Sequence, residues 1–179
     1  MQIMFEQGYN ATGVKDIVDA ASVPKGSFYN YFESKESFVI EALERVAACK
    51  HEEMRRGVLN GESNVLDNYL RFFEDRVNCA VEANCYSGCF LGNICQEMAD
   101  CCEPIRLKVK ALFDQQVQLL AEIVVAGQAD GSINKELDPT EMAEYLFSSW
   151  EGAMLKMKAD KTSRAFNIFL VHSRILLSP

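Results

Sequence analysis

The sequence predicts an all-α fold. Apolar residues recur at i, i+3 and i+4 through most of the chain, as in Val65 to Glu82, where Leu66, Tyr69 and Phe73 share one side. No segment shows the sustained alternation of a β-strand. Helix-start signals are clear, above all the run DPTE that begins at Asp138, which combines an N-cap, a proline at the first helical position and an acid three residues on.

Length and composition narrow the class of protein. The 179 residues suit one soluble domain or a small module attached to a larger one, and no apolar run approaches the ~20 residues of a membrane span, so a cytoplasmic protein is expected. The seven cysteines are an odd number without a secretory leader, which favours reduced thiols. The net charge of −8 argues against nucleic-acid binding over the whole surface but allows a local site.

Three short helices open the chain. The first spans residues 1–7 and ends at Gly8, and Thr12 is the predicted N-cap of a second helix that continues to Ala21. Pro24 interrupts that helix, because the residue before a proline is disfavoured in the helical region, and then opens a third helix. Two short helices joined by about three residues, within a trio, predict a helix-turn-helix.

The third helix, Lys25 to Phe32, has two different faces. Phe28, Tyr31 and Phe32 fall within an arc of roughly 100°, which predicts a buried face. The other side carries small and polar residues that suit close contact with a polar partner: Lys25, Gly26, Ser27, Tyr29 and Asn30.

Longer amphipathic helices follow. Ser34 is the predicted cap of the first of them, and a turn-rich stretch, GQADGSINKELDP, separates the last two from the rest. The predicted helices are Ser37–Arg56, Val65–Glu82, Cys89–Asp100, Pro104 to about Ala126, Met142–Lys158 and Ser163–Leu177.

The segment FEQGYNATGVKDIVDAASVPKGSFYNYFESKESF, from Phe5 to Phe38, resembles the DNA-binding module of TetR-type transcriptional regulators. The resemblance implies a homodimeric repressor that binds a palindromic operator through this module, here residues 1–38. It implies further that residues 39–179 form a helical domain for dimerisation and for holding an inducer. Only four residues precede Phe5, fewer than in most of the family. Either the protein has further N-terminal residues that this sequence lacks, or its first helix is truncated.

Carried onto this chain, the resemblance makes Lys25 to Phe32 the recognition helix, whose polar face contacts bases and phosphates. An amide such as Asn30 pairs well with an adenine edge, and a lysine or phenol with phosphate or guanine. Thr12 and Lys35 lie at positions that clamp phosphates in the family.

Six of the seven cysteines lie between Cys79 and Cys102, and the motif YSGCFLGN resembles a branch of repressors that sense electrophiles and oxidants. In that branch the cysteine after Ser-Gly, here Cys89, is the sensing thiol. A predicted helix start at this point favours the thiolate. Cys85 is the candidate resolving thiol and Lys158 the candidate cation beside the thiolate. The hypothesis is that modification of Cys89 spreads the two recognition helices of the dimer.

Three other interpretations of these residues stay open. Cys89 can be a small buried hydrophobic residue. Cys101 and Cys102 with Cys85 can ligate a soft metal ion, although neither a C-x-x-C motif nor suitably spaced histidines support this, and no metal or cofactor is expected. A non-covalent inducer can bind an apolar pocket, or the same residues can be ordinary core: Phe72, Phe73, Met98, Phe113, Met142, Phe147, Trp150, Met154 and Met157.

Two other function classes fit the sequence less well. No nucleophilic triad, phosphate loop or paired-acid signature indicates an enzyme, although a reactive cysteine is compatible with a thiol-dependent one. A helical interaction module accounts for the amphipathic helices but leaves the pattern from Thr12 to Lys35 unexplained. The last two helices are expected to pair with a second chain through Tyr145, Leu146, Phe169, Leu170 and Leu176.

Overall fold

The computed structural model of the chain describes residues 2–83 and 88–179. Over these residues the structure is helical and contains no strand, which confirms the all-α prediction. The elements in chain order are α1 (Gln2–Gln7), α2 (Val14–Ala20), α3 (Lys25–Tyr29), α4 (Lys35–Met54), a π-helical segment (Arg55–Leu59), α5 (Val65–Glu82), α6 (Phe90–Met98), α7 (Glu103–Asp130), α8 (Pro139–Asp160) and α9 (Arg164–Leu177).

The chain forms two compact units. The first unit consists of Met1–Ala48 and Cys89–Leu112, and it therefore contains α1 to α3 together with α6. Its core includes Phe28 and Leu43 from the N-terminal helices and Ile94 from α6, all of them buried. The Phe5 ring stacks on Phe90 of α6 with the two centroids 5.5 Å apart. Structurally, the predicted helix-turn-helix is thus grouped with a segment 50 residues further along the chain.

The second unit consists of Cys49–Gly88 and Phe113–Pro179. Within it α8 packs against α9, and α5 packs against α9 and the π-helical segment. Its core is a continuous apolar cluster that includes Tyr69, Leu119, Ile123 and Phe166. The fold prediction of a larger helical C-terminal part is confirmed.

The recognition helix is shorter than predicted. It ends at Tyr29, and the chain then turns, with the N–H groups of Tyr31 and Phe32 both donating to the carbonyl of Phe28. Because the turn rotates Tyr31 away from the arc of Phe28 and Phe32, its side chain is 81% exposed, and the prediction that it is buried was wrong. Phe28 is buried as predicted, and Phe32 packs against it and against Phe38.

Helix caps were predicted with mixed success. Asp138 accepts hydrogen bonds from the N–H groups of Thr140 and Glu141, and Ser34 accepts one from Ser37, so both predicted caps are confirmed. The N-cap of α2 is Gly13 and not Thr12, because the Thr12 hydroxyl points back and donates to the carbonyl of Gly8.

Helix α7 runs past its predicted end at Ala126 to Asp130. Gly127 lies inside the helix, and a Cβ there would come within 2.4 Å of Cδ1 of Ile133, which packs over it. Gly131, with φ of +81°, then ends the helix. The glycine at 127 is therefore a packing site and not a turn, a distinction that depends on where Ile133 lies.

Two of the five residues predicted to pair with a second chain belong to the core of this chain. Leu146 and Phe169 are 1% and 6% exposed: both belong to the apolar cluster of the second unit, where α5 packs against α9 and the Phe73 ring lies 5.4 Å from that of Phe169. The large apolar side chains that α8 and α9 do expose are Tyr145, Leu155, Ile168, Val171, Ile175 and Leu176.

Candidate functional site

The outer face of α3 is open. Lys25, Gly26 and Asn30 are exposed, Tyr29 is 55% exposed, and Ser27 is half-buried. The Tyr29 ring meets the Phe28 ring edge-on, with the two centroids 5.3 Å apart. A Cβ at Gly26 would meet no atom within 4 Å, so a partner can approach the backbone closely there. Tyr31, in the turn that follows α3, adds a large exposed phenol that was predicted from the sequence to be buried.

A tight turn before α2, residues 8–12, is held from within. Thr12 is fully buried, and its hydroxyl donates to the carbonyl of Gly8 at 2.7 Å. The Lys35 ammonium donates to the carbonyls of Tyr9 and Thr12 at 2.9 and 3.0 Å, and it lies 4.0 Å from the centroid of the Tyr9 ring. Both residues therefore brace the turn. Their predicted contacts with phosphate stay predictions.

The same turn is held from a second side by Glu97 of α6. Its two carboxylate oxygens accept from the N–H groups of Tyr9, at 3.2 Å, and Asn10, at 3.0 Å. Sequence reasoning missed Glu97, since nothing in its neighbourhood indicates a partner 87 residues away.

Cys89 lies at the start of α6, where the sequence placed a helix start. It is the N-cap residue, half-buried, and its sulfur accepts a hydrogen bond from the N–H of Gly92 at 3.3 Å. Such a donor favours the thiolate over the thiol. Cys85, the predicted resolving thiol, lies outside the described residues. Lys158 is an exposed residue of α8 in the second unit, and its pairing with Cys89 stays a prediction.

Cys102, the second residue of the vicinal pair Cys101–Cys102, is a poor candidate for a reactive thiol. The Cys102 thiol donates to a carboxylate oxygen of Glu36 at 3.2 Å. Burial and the negative charge of Glu36 raise the pKa of Cys102, so less of the nucleophilic thiolate is present. Within residues 2–83 and 88–179 no three histidine, cysteine or acidic side chains are grouped to hold a metal ion.

Most residues of the predicted apolar pocket pack against one another. Trp150 stacks on Phe166 with centroids 4.6 Å apart and meets Phe73 edge-on at 4.7 Å. Phe113 and Phe147 form a separate, half-buried pair at 5.0 Å. Met154 packs against the apolar core. A groove of about 360 Å³ does lie along α8 and α9, but Trp150, Phe147, Met154 and Phe113 are not among its lining residues.

Comparison with known proteins decides the family. The profile described as "Bacterial regulatory proteins, tetR family" matches residues 1–42, and "Tetracyclin repressor-like, C-terminal domain" matches residues 66–172, more than half of the chain. The chain belongs to the TetR family. It is a DNA-binding transcriptional repressor of the helix-turn-helix type, and such repressors bind operator DNA as dimers and respond to ligands.

Individual relatives of this TetR-family chain agree with that assignment. The repressor DhaR of Mycobacterium sp. (strain GP1) is 32% identical over 169 residues, which cover 94% of this chain and 83% of DhaR. The crystal structure of the reduced form of NemR from E. coli has a TM-score of 0.89 and 27% identity, with coverage of 99% and 93%. A TetR regulatory protein from Rhodobacter sphaeroides has a TM-score of 0.90 and 27% identity, with coverage of 98% and 93%.

In this chain no helix among the described residues is both long and apolar enough to cross a membrane. Its relatives are transcriptional repressors and not enzymes.

Proposed function

We propose that this repressor reads its operator through the outer face of α3 and is released when an electrophile or oxidant modifies Cys89. Residues 1–38 form the DNA-binding module, and residues 39–179 carry regulation and dimerisation. The observation that carries the inducer proposal is the sulfur of Cys89 at the N-terminus of α6, within hydrogen-bond distance of a backbone N–H. Because its target is chromosomal DNA, the protein acts in the cytoplasm.

The proposed DNA contacts are Lys25, Gly26, Tyr29 and Asn30, which are exposed on α3, the half-buried Ser27, and Lys35 from the resemblance to the family. Tyr31 joins them because it is exposed beside that face. Thr12, which the resemblance also assigns, has a fully buried side chain and acts by holding the turn. An exposed lysine supplies charge to phosphates at any sequence, whereas an amide distinguishes bases by its donor and acceptor pattern.

Replacing Lys25 by alanine is expected to weaken binding to every duplex and to lower the slope of log K against log salt by about 0.9. Replacing Asn30 by alanine is expected to relax the preference at one base position at a cost of about 1–3 kcal/mol. Both are measured on a duplex that the wild-type protein selects from a random-sequence pool. An unchanged salt slope for Lys25→Ala contradicts the phosphate contact, and unchanged base preference for Asn30→Ala contradicts the base contact.

The chemistry proposed at Cys89 needs no group besides the thiolate and the inducer. With an activated alkene such as N-ethylmaleimide or a quinone, a sulfur–carbon bond forms, the carbon–carbon π bond breaks, and a proton adds to the neighbouring carbon. With hypochlorite the sulfur takes up oxygen and chloride leaves, which yields a sulfenic acid. Either product removes the negative charge of the thiolate, which weakens the sulfur as an acceptor for the N–H of Gly92, and enlarges the side chain at the start of α6.

N-Ethylmaleimide at one equivalent is expected to release the selected duplex from the wild-type protein and not from the Cys89→Ser variant, whose hydroxyl still caps α6. Fluorescence anisotropy of the labelled duplex follows release, and mass spectrometry identifies the modified cysteine. Cys79→Ser is the matched control: Cys79 is an exposed thiol on α5, and its loss should leave release unchanged.

Release from Cys89→Ser as readily as from the wild type overturns the thiol proposal. In that case another thiol carries the response. If N-ethylmaleimide releases the duplex from neither protein, the alternative becomes the favoured mechanism: a hydrophobic inducer bound non-covalently. It draws support from the half-buried pair Phe113 and Phe147, which leaves aromatic surface accessible in the second unit.

The proposed dimer surface is the exposed apolar face of α8 and α9. Tyr145 and Ile168 are each 50% exposed and line the groove along these helices, and Val171 and Ile175 are more exposed still. Apolar side chains at this density on two adjacent helices suit a four-helix bundle with a second copy of the chain.

A further inference from the structure

The turn formed by residues 8–12 connects α1 to the helix-turn-helix, and it is held by ionic groups of both signs. The positive Lys35 binds its carbonyl groups, and the negative Glu97 binds its N–H groups. Lys35 begins α4, directly after the recognition segment, whereas Glu97 lies on α6, far along the chain. Glu97 is therefore the part of this brace that an event on α6 can alter.

The fit between Glu97 and the turn is close. Gly8 has φ of +86°, and a Cβ at this position would come within 2.4 Å of Oε1 of Glu97. Only glycine satisfies both the backbone conformation and the approach of the carboxylate. Because each carboxylate oxygen accepts from a different N–H, the side chain sets the orientation of the turn as well as its distance from α6.

Helix α6 carries a candidate thiol at one end and this carboxylate near the other. Cys89 is its N-cap and Glu97 is its penultimate residue, about 12 Å further along the axis at 1.5 Å per residue. Helix α6 belongs to the same compact unit as the helix-turn-helix. A rotation or shift of α6 as one rigid helix, starting from a change at Cys89, thus moves the carboxylate that holds the turn.

We propose that Glu97 is a positioning residue for operator binding, which fixes the turn before α2 and so couples α6 to the orientation of the recognition helix. The inference rests on the DNA-binding function that the family establishes. It does not depend on Cys89 being the inducer site, although it supplies a route by which a change there reaches DNA.

The test replaces Glu97 by glutamine, which has a similar shape but one acceptor oxygen in place of two. Operator affinity is expected to fall about tenfold, while affinity for an unrelated duplex stays within twofold, because exposed cations such as Lys25 are unchanged. Hydrogen exchange at the N–H groups of Tyr9 and Asn10 is expected to accelerate. A purely structural loss, by contrast, lowers specific and non-specific binding together.

Two variants complete the test. Glu103→Gln removes a carboxylate from α7 in the same unit, where its partner is Arg106, and should leave operator affinity within twofold. Glu97→Asp keeps the charge on a shorter side chain and should give an intermediate affinity. If Glu97→Gln binds operator as tightly as the wild type, or loses both kinds of binding equally, the positioning role is wrong. Neither result bears on whether Cys89→Ser abolishes release by N-ethylmaleimide.

Discussion

Replacing Lys35 by methionine is expected to destabilise the DNA-binding module by about 3 kcal/mol and to weaken operator binding by more than tenfold. The ammonium donates to two carbonyls, of Tyr9 and Thr12, and methionine donates to neither. A hydrogen bond from a charged donor contributes about 1.5–3 kcal/mol, and the Tyr9 ring adds about 0.5–1 kcal/mol as a cation–π contact. Because Lys35 is partly exposed to water, the sum of these contributions is reduced to about 3 kcal/mol.

The measurement separates the two units of the protein. Hydrogen exchange at the amides of α1 to α3 reports the module, and the fluorescence of Trp150, the single tryptophan, reports the second unit. Amide hydrogen exchange should accelerate in α1 to α3, while the unfolding transition reported by Trp150 fluorescence should be unchanged. Lys15→Met, which removes an exposed cation from α2, is the control and should change stability by less than about 0.5 kcal/mol.

The same variant tests the role that the family resemblance assigns to Lys35. If its ammonium contacts a phosphate in the complex, the salt slope of operator binding falls by about 0.9 in Lys35→Met. If it serves only to brace the turn, the affinity falls with the slope unchanged. Stability and affinity that both match the wild type contradict the bracing role.

Replacing Asn68 by leucine is expected to destabilise the second unit by about 3 kcal/mol. Asn68 is 4% exposed on α5, and its amide nitrogen donates to the carbonyls of Val58 and Ser63 while its oxygen accepts from the N–H of Ser63. A leucine leaves these three backbone groups without that partner, and each unsatisfied buried group costs about 1–3 kcal/mol. Backbone groups that can still bond to water cost less, so the expected total loss of about 3 kcal/mol is near the lower end of the range for three groups.

Urea unfolding followed by Trp150 fluorescence measures this loss directly. Asn64→Ala is the matched control, because Asn64 is an exposed N-cap of the same helix and its removal costs about 1 kcal/mol. Gly61→Ala disturbs the same hydrogen bonds by displacing the Asn68 side chain, since a Cβ at position 61 would lie 2.6 Å from Cγ of Asn68. Equal urea midpoints for Asn68→Leu and Asn64→Ala would show that the buried amide of Asn68 stabilises the second unit no more than the exposed N-cap of Asn64 does.

Features that depend on residues within one or two helical turns could be predicted from the amino-acid sequence. The all-α fold, the caps at Ser34 and Asp138, the burial of Phe28 and the helix that begins after Cys89 were all predicted correctly. Each follows from local periodicity or from a side chain that bonds to a backbone group two or three residues away.

Features that join distant segments of the chain could not be predicted and became visible in the folded structure. Glu97 meets Tyr9 across 88 residues, and Lys35 turns inward to the carbonyls of residues 9 and 12. Leu146 and Phe169 are buried in the apolar core of the second unit, within a single chain. Residue type indicates that a carboxylate or an ammonium needs a partner but does not say which. The partner is selected by which helices pack together, and that packing depends on the whole apolar surface of each helix rather than on any local pattern.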